Sequence, residues 1–172
     1  MREEGETVYG VGERIVHPLH GAGTIREIVT QKVDGAVKEY YLLTLPLTDM
    51  DVMVPVDAGD RVGLRPVMGR EEAEKVLLLF QEPEGSFSAN WNARYRENLA
   101  HIKTGKPEEV AEVIRVLTRC EMGKGLSGGE RKMLHTAKHI LISELSMALG
   151  ESYGELDRRI IRMMLKAEKT DG

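Results

Sequence analysis

The sequence predicts an α+β protein in two parts, a small antiparallel β-barrel or sheet over residues 1–68 and a five-helix α-helical domain over residues 69–172. Two observations carry this. As far as residue 68, short runs rich in Val, Ile, Tyr and Thr are separated by Gly, Asp or Pro, with no helical period between them. From Gly69 onward, apolar residues recur at three- and four-residue spacing, the period of amphipathic helices. A length of 172 residues suffices for one domain or two small ones. A composition of 41% hydrophobic and 30% charged residues excludes the apolar-poor pattern of a disordered chain.

Four strands are expected: "ERIVHP" (13–18), "GTIREIVTQKV" (23–33), "VKEYYLLTL" (37–45) and "DVMVPV" (51–56). Asp34-Gly35, between the second and third, supplies the positive φ angles of a tight hairpin. Gly21 and Gly23 flank Ala22 where the chain must bend between the first two strands, and Pro46, lacking an N–H, ends the third.

A first helix is expected over 70–81, broken by Pro83, Gly85 and Ser86. Asn90 can cap a second, with apolar positions Trp91, Tyr95, Leu99 and Ile102, ended by "TGKP" (104–107). Pro107 suits the first turn of a third, where Glu108 and Glu109 meet the positive end of the dipole; Val110, Val113, Ile114 and Leu117 form its stripe. "GKGLSGG" (123–129) ends it. A fourth helix, about 128 to 149, carries Leu134, Ala137, Leu141, Leu145 and Ala148 on one face; a fifth, about 155 to 168, carries Leu156, Ile160, Met163, Met164 and Ala167.

The net charge of −4 argues against a protein that binds bare DNA by electrostatics alone. The charge is uneven, however. Residues 1–68 hold seven Lys/Arg against eleven Asp/Glu, whereas residues 91–140 hold ten against six and add His101, His135 and His139. A locally basic region inside an acidic protein suits a module brought to DNA by a partner, needing few phosphate contacts of its own. No apolar run is long enough to span a bilayer. The acidic opening "MREEGETVYG" does not read as a secretory signal, so a cytoplasmic location is expected. The single Cys120 excludes an internal disulfide and a cysteine-rich zinc site.

Three motifs invite a chemical reading and reduce to local structure. "LSGGE" (126–130) looks like the signature of ABC-type ATPases, but the chain has no phosphate-cradling G-x-x-x-x-G-K-[ST]. Ser127 as N-cap with Glu130 three residues on reads instead as a capping box, each side chain satisfying an orphan backbone N–H. "HTAKH" (135–139) has the i, i+4 spacing of metal-binding histidines without a general-base glutamate or an obvious third ligand. His17 and His20, flanking Pro18 and Leu19, read as turn hydrogen bonding. No nucleophile, carboxylate pair or cofactor fingerprint stands out, so neither an enzyme nor a cofactor, metal or small-molecule substrate is expected.

"NWNARYRENL" (90–99) contains the chain's one tryptophan. By spacing, Trp91, Tyr95 and Leu99 form a stripe that could be buried. Alternatively, an indole at a helix end beside Arg94 and Arg96 offers a flat surface to stack on a base and cations to hold phosphates.

With "NWNARYRENL", five further stretches occur in order: "VHPLHGAGTIREI" (16–28), "KEYYLL" (38–43), "VMVPVD" (52–57), "VGLRPV" (62–67) and "GLSGGERKML" (125–134). The chain thereby resembles the CarD/CdnL transcription factors of bacteria from about Val11 to the fifth helix. Its first part also looks like the polymerase-interacting module of the transcription-repair coupling factor. The resemblance implies a Tudor-like β-barrel that docks on the β subunit of RNA polymerase; the third and fourth strands are expected to supply an edge for this, with Tyr40, Met53 and Pro55 near it. It also implies a helical domain facing promoter DNA, in which Trp91 inserts at the minor groove at the upstream bubble edge. Arg94, Arg96, Arg131 and Lys132 would hold the DNA backbone. Some relatives carry basic residues where this chain has Met53 and Gln31. The rival expectation is a protein-interaction adaptor with Trp91 buried and no DNA contact. If the first reading holds, Tyr95, Leu99 and Ile102 should pack inward and Trp91 should be exposed.

Overall fold

The computed structural model describes residues 9–83 and 88–170, and the chain divides into two units between Val67 and Met68. The first unit is a five-stranded antiparallel sheet: β1 (Arg14–His17), β2 (Gly21–Val33), β3 (Ala36–Leu45), β4 (Met50–Pro55) and β5 (Arg65–Pro66). The strands lie in the order β4-β3-β2-β1-β5. Among the described residues no ladder joins β5 back to β4, so the strand pairing is that of a sheet with β4 and β5 at its edges, the second of the two forms expected. Asp34 and Gly35, with φ of 50° and 78°, close the β2–β3 hairpin between the paired Val33 and Ala36.

Strand alternation builds the core. Tyr41, Leu43 and Leu45 on β3 are buried with Ile15, Ile25, Val54 and Leu64, and Tyr9 meets Tyr41 edge-on at 5.9 Å. Gly21 (φ 87°) takes the turn that the sequence required. Gly23 has a different reason: a Cβ there would lie 2.6 Å from the carbonyl oxygen of Thr44 on β3, so a side chain would push the two strands apart. The short β5 and the single-turn helix α1 (Gly59–Val62) went unread in the sequence because neither is long enough to show a period.

His17 ends β1 with its side chain buried; its Nδ1 accepts a hydrogen bond from the Leu19 amide at 3.1 Å, and its ring lies 4.6 Å from that of His20. Burial, with the neighbouring His20 adding to it, lowers its pKa to about 4. The unfolded chain takes this proton near pH 6.5 and the folded one only near pH 4, so stability is complete above pH 6.5 and falls as the pH drops toward 4. The loss from this group amounts to about 3 kcal/mol at most. Urea midpoints measured from pH 7 to pH 4 should therefore decline less steeply in His17→Asn, which keeps a side-chain acceptor, than in the parent.

The second unit contains α2 (Arg70–Leu78), running on as a 3-10 turn over Leu79–Gln81, then α3 (Trp91–Lys103), α4 (Pro107–Met122), α5 (Gly128–Leu149) and α6 (Tyr153–Thr170). Of the six α-helices among the described residues, these five lie in the second unit. The expected break after the first helix rests partly on Gly85 and Ser86, which lie outside the described residues. Helix α4 packs against α5, and its stripe of Val110, Val113, Ile114 and Leu117 is buried in one core with Leu134, Leu141 and Leu145 of α5 and Leu156 and Ile160 of α6. Its buried Arg115 and Arg119 donate to the carbonyls of Glu82 and Pro83, securing the end of the α2 segment. None of the described helices is long and apolar enough to cross a membrane.

Candidate nucleic-acid interface

Helix α3 begins where the sequence signals it: the Asn90 side chain accepts from the Ala93 amide at 3.1 Å, and Trp91 is the first helical residue. At that position a side chain has no preceding turn to pack on. Trp91 is accordingly 47% exposed, while Ile102 is buried and Tyr95 and Leu99 pack partly buried against the core. The stripe divides as expected, with its exposed residue at the head and the others turned inward. Trp91 is nevertheless well supported. Its ring stacks on Tyr95 with centroids 5.9 Å apart at 27°, and its indole N–H donates to the Ser127 hydroxyl at 3.0 Å.

Ser127 starts α5 and also accepts from the Glu130 amide at 3.2 Å, as an N-cap should. The rest of the expected capping box is replaced. The Glu130 carboxylate is buried and accepts from the Arg94 guanidinium at 2.7 Å instead of reaching back along its own helix. Beside this pair, a Cβ on Gly129 would be 3.6 Å from the Tyr95 ring, an ordinary van der Waals contact, so the ring lies against the first turn of α5. The first turns of α3 and α5 are thus joined by an indole, a ring face and an ion pair.

The expected DNA-contacting residues separate accordingly. Arg96, Arg131 and Lys132 are exposed, with Trp91 on the opening turns of the same two helices. Arg94 stands apart from them: 14% of its side chain is exposed, and its guanidinium is paired with Glu130 at 2.7 Å, joining the two helix starts. Its position about 60° around the helix from Trp91 suggested a flanking cation, but helical angle alone does not say which partner waits on the next helix. Ser127 is the neighbour of Trp91 that the sequence reading missed, having been read as a cap and nothing more. His135 and His139 lie with ring centroids 6.5 Å apart, and no group of three potential metal ligands occurs among the described residues.

In the first unit, strand register gathers the expected docking residues. Tyr40 on β3 pairs with Pro55 on β4, and Leu42 pairs with Met53, all on the face opposite the buried Tyr41 and Val54. Met53 is 40% exposed, with Gln31 reaching its sulfur at 4.0 Å, and β4 forms an edge of the sheet.

One unit thus presents β4 as a sheet edge with Met53 exposed on it, and the other an exposed aromatic on helices that also carry exposed cations. Comparison with known proteins agrees along nearly the whole chain. The family model described as "CarD-like/TRCF RID domain" matches residues 9–68, and "CarD, C-terminal domain" matches residues 75–161. A Bacillus subtilis (strain 168) protein named "Putative transcription factor YdeB" is 35% identical over 143 residues, covering 83% of this chain and 94% of its own length. The chain belongs to the CarD family, and with it to non-enzymatic proteins.

Proposed function

We propose that the protein is a transcription regulator that binds the β subunit of RNA polymerase through residues 1–68 and stabilises the open promoter complex through residues 69–172. Trp91 acts at the minor groove at the upstream bubble edge. The observation that carries this reading is the half-exposed Trp91 ring, held on Tyr95 and Ser127 with Arg96, Arg131 and Lys132 exposed on the same two helices. A buried Trp91, which the adaptor reading requires, is not what the chain has.

An apolar wedge unstacks a base step at a cost of a few kcal/mol, and that cost is smallest where the duplex is already opening. The side chain therefore favours the open over the closed complex, shifting an equilibrium between existing states. The indole's one donor is engaged by Ser127, leaving ring face and carbon edge for the DNA, which suits action without sequence readout. In the first unit, the free side of β4 offers main-chain donors and acceptors for strand addition by the polymerase, with Tyr40, Met53 and Pro55 beside it.

The test is the salt dependence of open-complex stabilisation on a purified polymerase–promoter system. Arg131→Glu with Lys132→Glu should lower the slope of log affinity against log salt by about 2, since each lost phosphate contact removes about 0.9. Binding to polymerase alone should persist. Loss of polymerase binding with the salt slope unchanged would place these residues on a protein interface instead.

A further inference from the structure

We infer that Ser127 is a positioning residue for Trp91, fixing the ring before DNA arrives; the functional consequence of this rests on the open-complex reading above. Tryptophan has a single hydrogen-bond donor and no acceptor. On an exposed side chain that donor would ordinarily be left to water. Here it is given to a hydroxyl 36 residues away, at 3.0 Å. The hydroxyl is itself held by the backbone: the same oxygen accepts from the Glu130 amide, and its residue caps a 22-residue helix. Tyr95, one turn along α3, supports the ring from its face.

With one edge tethered and one face supported, both side-chain torsions of Trp91 are set in the free protein. The acceptor stays in place because Arg94 and Glu130, 2.7 Å apart in the next turn of each helix, keep the two helix starts together. An indole without this tether would rotate in solvent and be ordered only on insertion. Immobilising a side chain of that kind weakens an interaction by about 2- to 10-fold.

Capping and positioning are separable at this residue. Glycine is nearly as good an N-cap as serine but has no oxygen to offer the indole, whereas threonine keeps both roles. Because Trp91 is the chain's one tryptophan, its fluorescence reports on this ring alone. In the full chain, Ser127→Gly should melt within a few degrees of the parent while Trp91 gains a fast, wide-angle component in time-resolved anisotropy. The open-complex lifetime should fall about 2- to 10-fold, and Ser127→Thr should restore both readings. The inference is overturned if Trp91 is as immobile in Ser127→Gly as in the parent. It is equally overturned if the ring is freed and the lifetime stays the same although Trp91→Ala shortens it. If Trp91→Ala itself leaves the lifetime unchanged, the open-complex reading fails, and the anisotropy comparison alone decides whether Ser127 holds the ring.

Discussion

Replacing Trp91 with alanine is expected to shorten the lifetime of the open promoter complex by about 5- to 150-fold, the equivalent of the roughly 1–3 kcal/mol that a base–aromatic stack contributes. The fold should survive. Trp91 is 47% exposed, and what alanine removes inside the protein is one ring stack and one hydrogen bond. Such a loss costs about 1–2 kcal/mol, a few degrees in Tm for a domain of this size. Polymerase binding should be unchanged, because Trp91 lies in the other unit from Tyr40, Met53 and Pro55. The measurement is the decay of preformed complexes after a competitor is added. An unchanged decay rate with a folded, polymerase-bound variant would remove Trp91 from the mechanism.

Glu130→Ala is expected to be the most destabilising change near the site, by about 3–5 kcal/mol in urea unfolding. The carboxylate is 1% exposed and lies 2.7 Å from a guanidinium that is itself 14% exposed. Alanine would leave Arg94 charged, largely desolvated and unpaired. Arg94→Met combined with Glu130→Leu removes both charges at once, so the double variant should be far more stable than the sum of its singles implies. Additive losses would mean that the two residues contribute independently and the pair does not hold the helix starts together. The double variant also separates charge from geometry: with α3 and α5 still joined by apolar contact, Trp91 should retain much of its effect on open-complex lifetime.

What was legible in the sequence was whatever short-range chemistry determines. Asp34-Gly35 specifies its hairpin, while Asn90 and Ser127 specify their helix starts, because each acts on backbone groups within three residues. The inward and outward division of Trp91, Tyr95, Leu99 and Ile102 followed from periodicity together with family resemblance; periodicity alone favoured burial for the whole stripe. Contacts between distant segments were not legible. Serine followed three residues later by glutamate is the pattern of a capping box, and nothing local reveals that Glu130 has a better partner 36 residues upstream in a low-dielectric setting. The same event withdrew Arg94 from the surface. Gly23 was read as a bend for an equivalent reason, since the Thr44 carbonyl that excludes a side chain there belongs to another strand.

Under the proposed function, the engagement of Arg94 by Glu130 has a consequence for how the protein would find promoters. Arg96, Arg131 and Lys132, exposed on the opening turns of α3 and α5, would support at most about three phosphate contacts, so affinity for bare duplex would drop by about 40-fold between 50 and 200 mM salt. Alone, such a surface would wander over the chromosome without settling. Tethered to polymerase, it would meet the bubble edge at an effective concentration in the millimolar range, where weak contacts are occupied most of the time. Promoter occupancy would then follow the supply of polymerase and not the amount of DNA, and the protein would leave the promoter when the enzyme does.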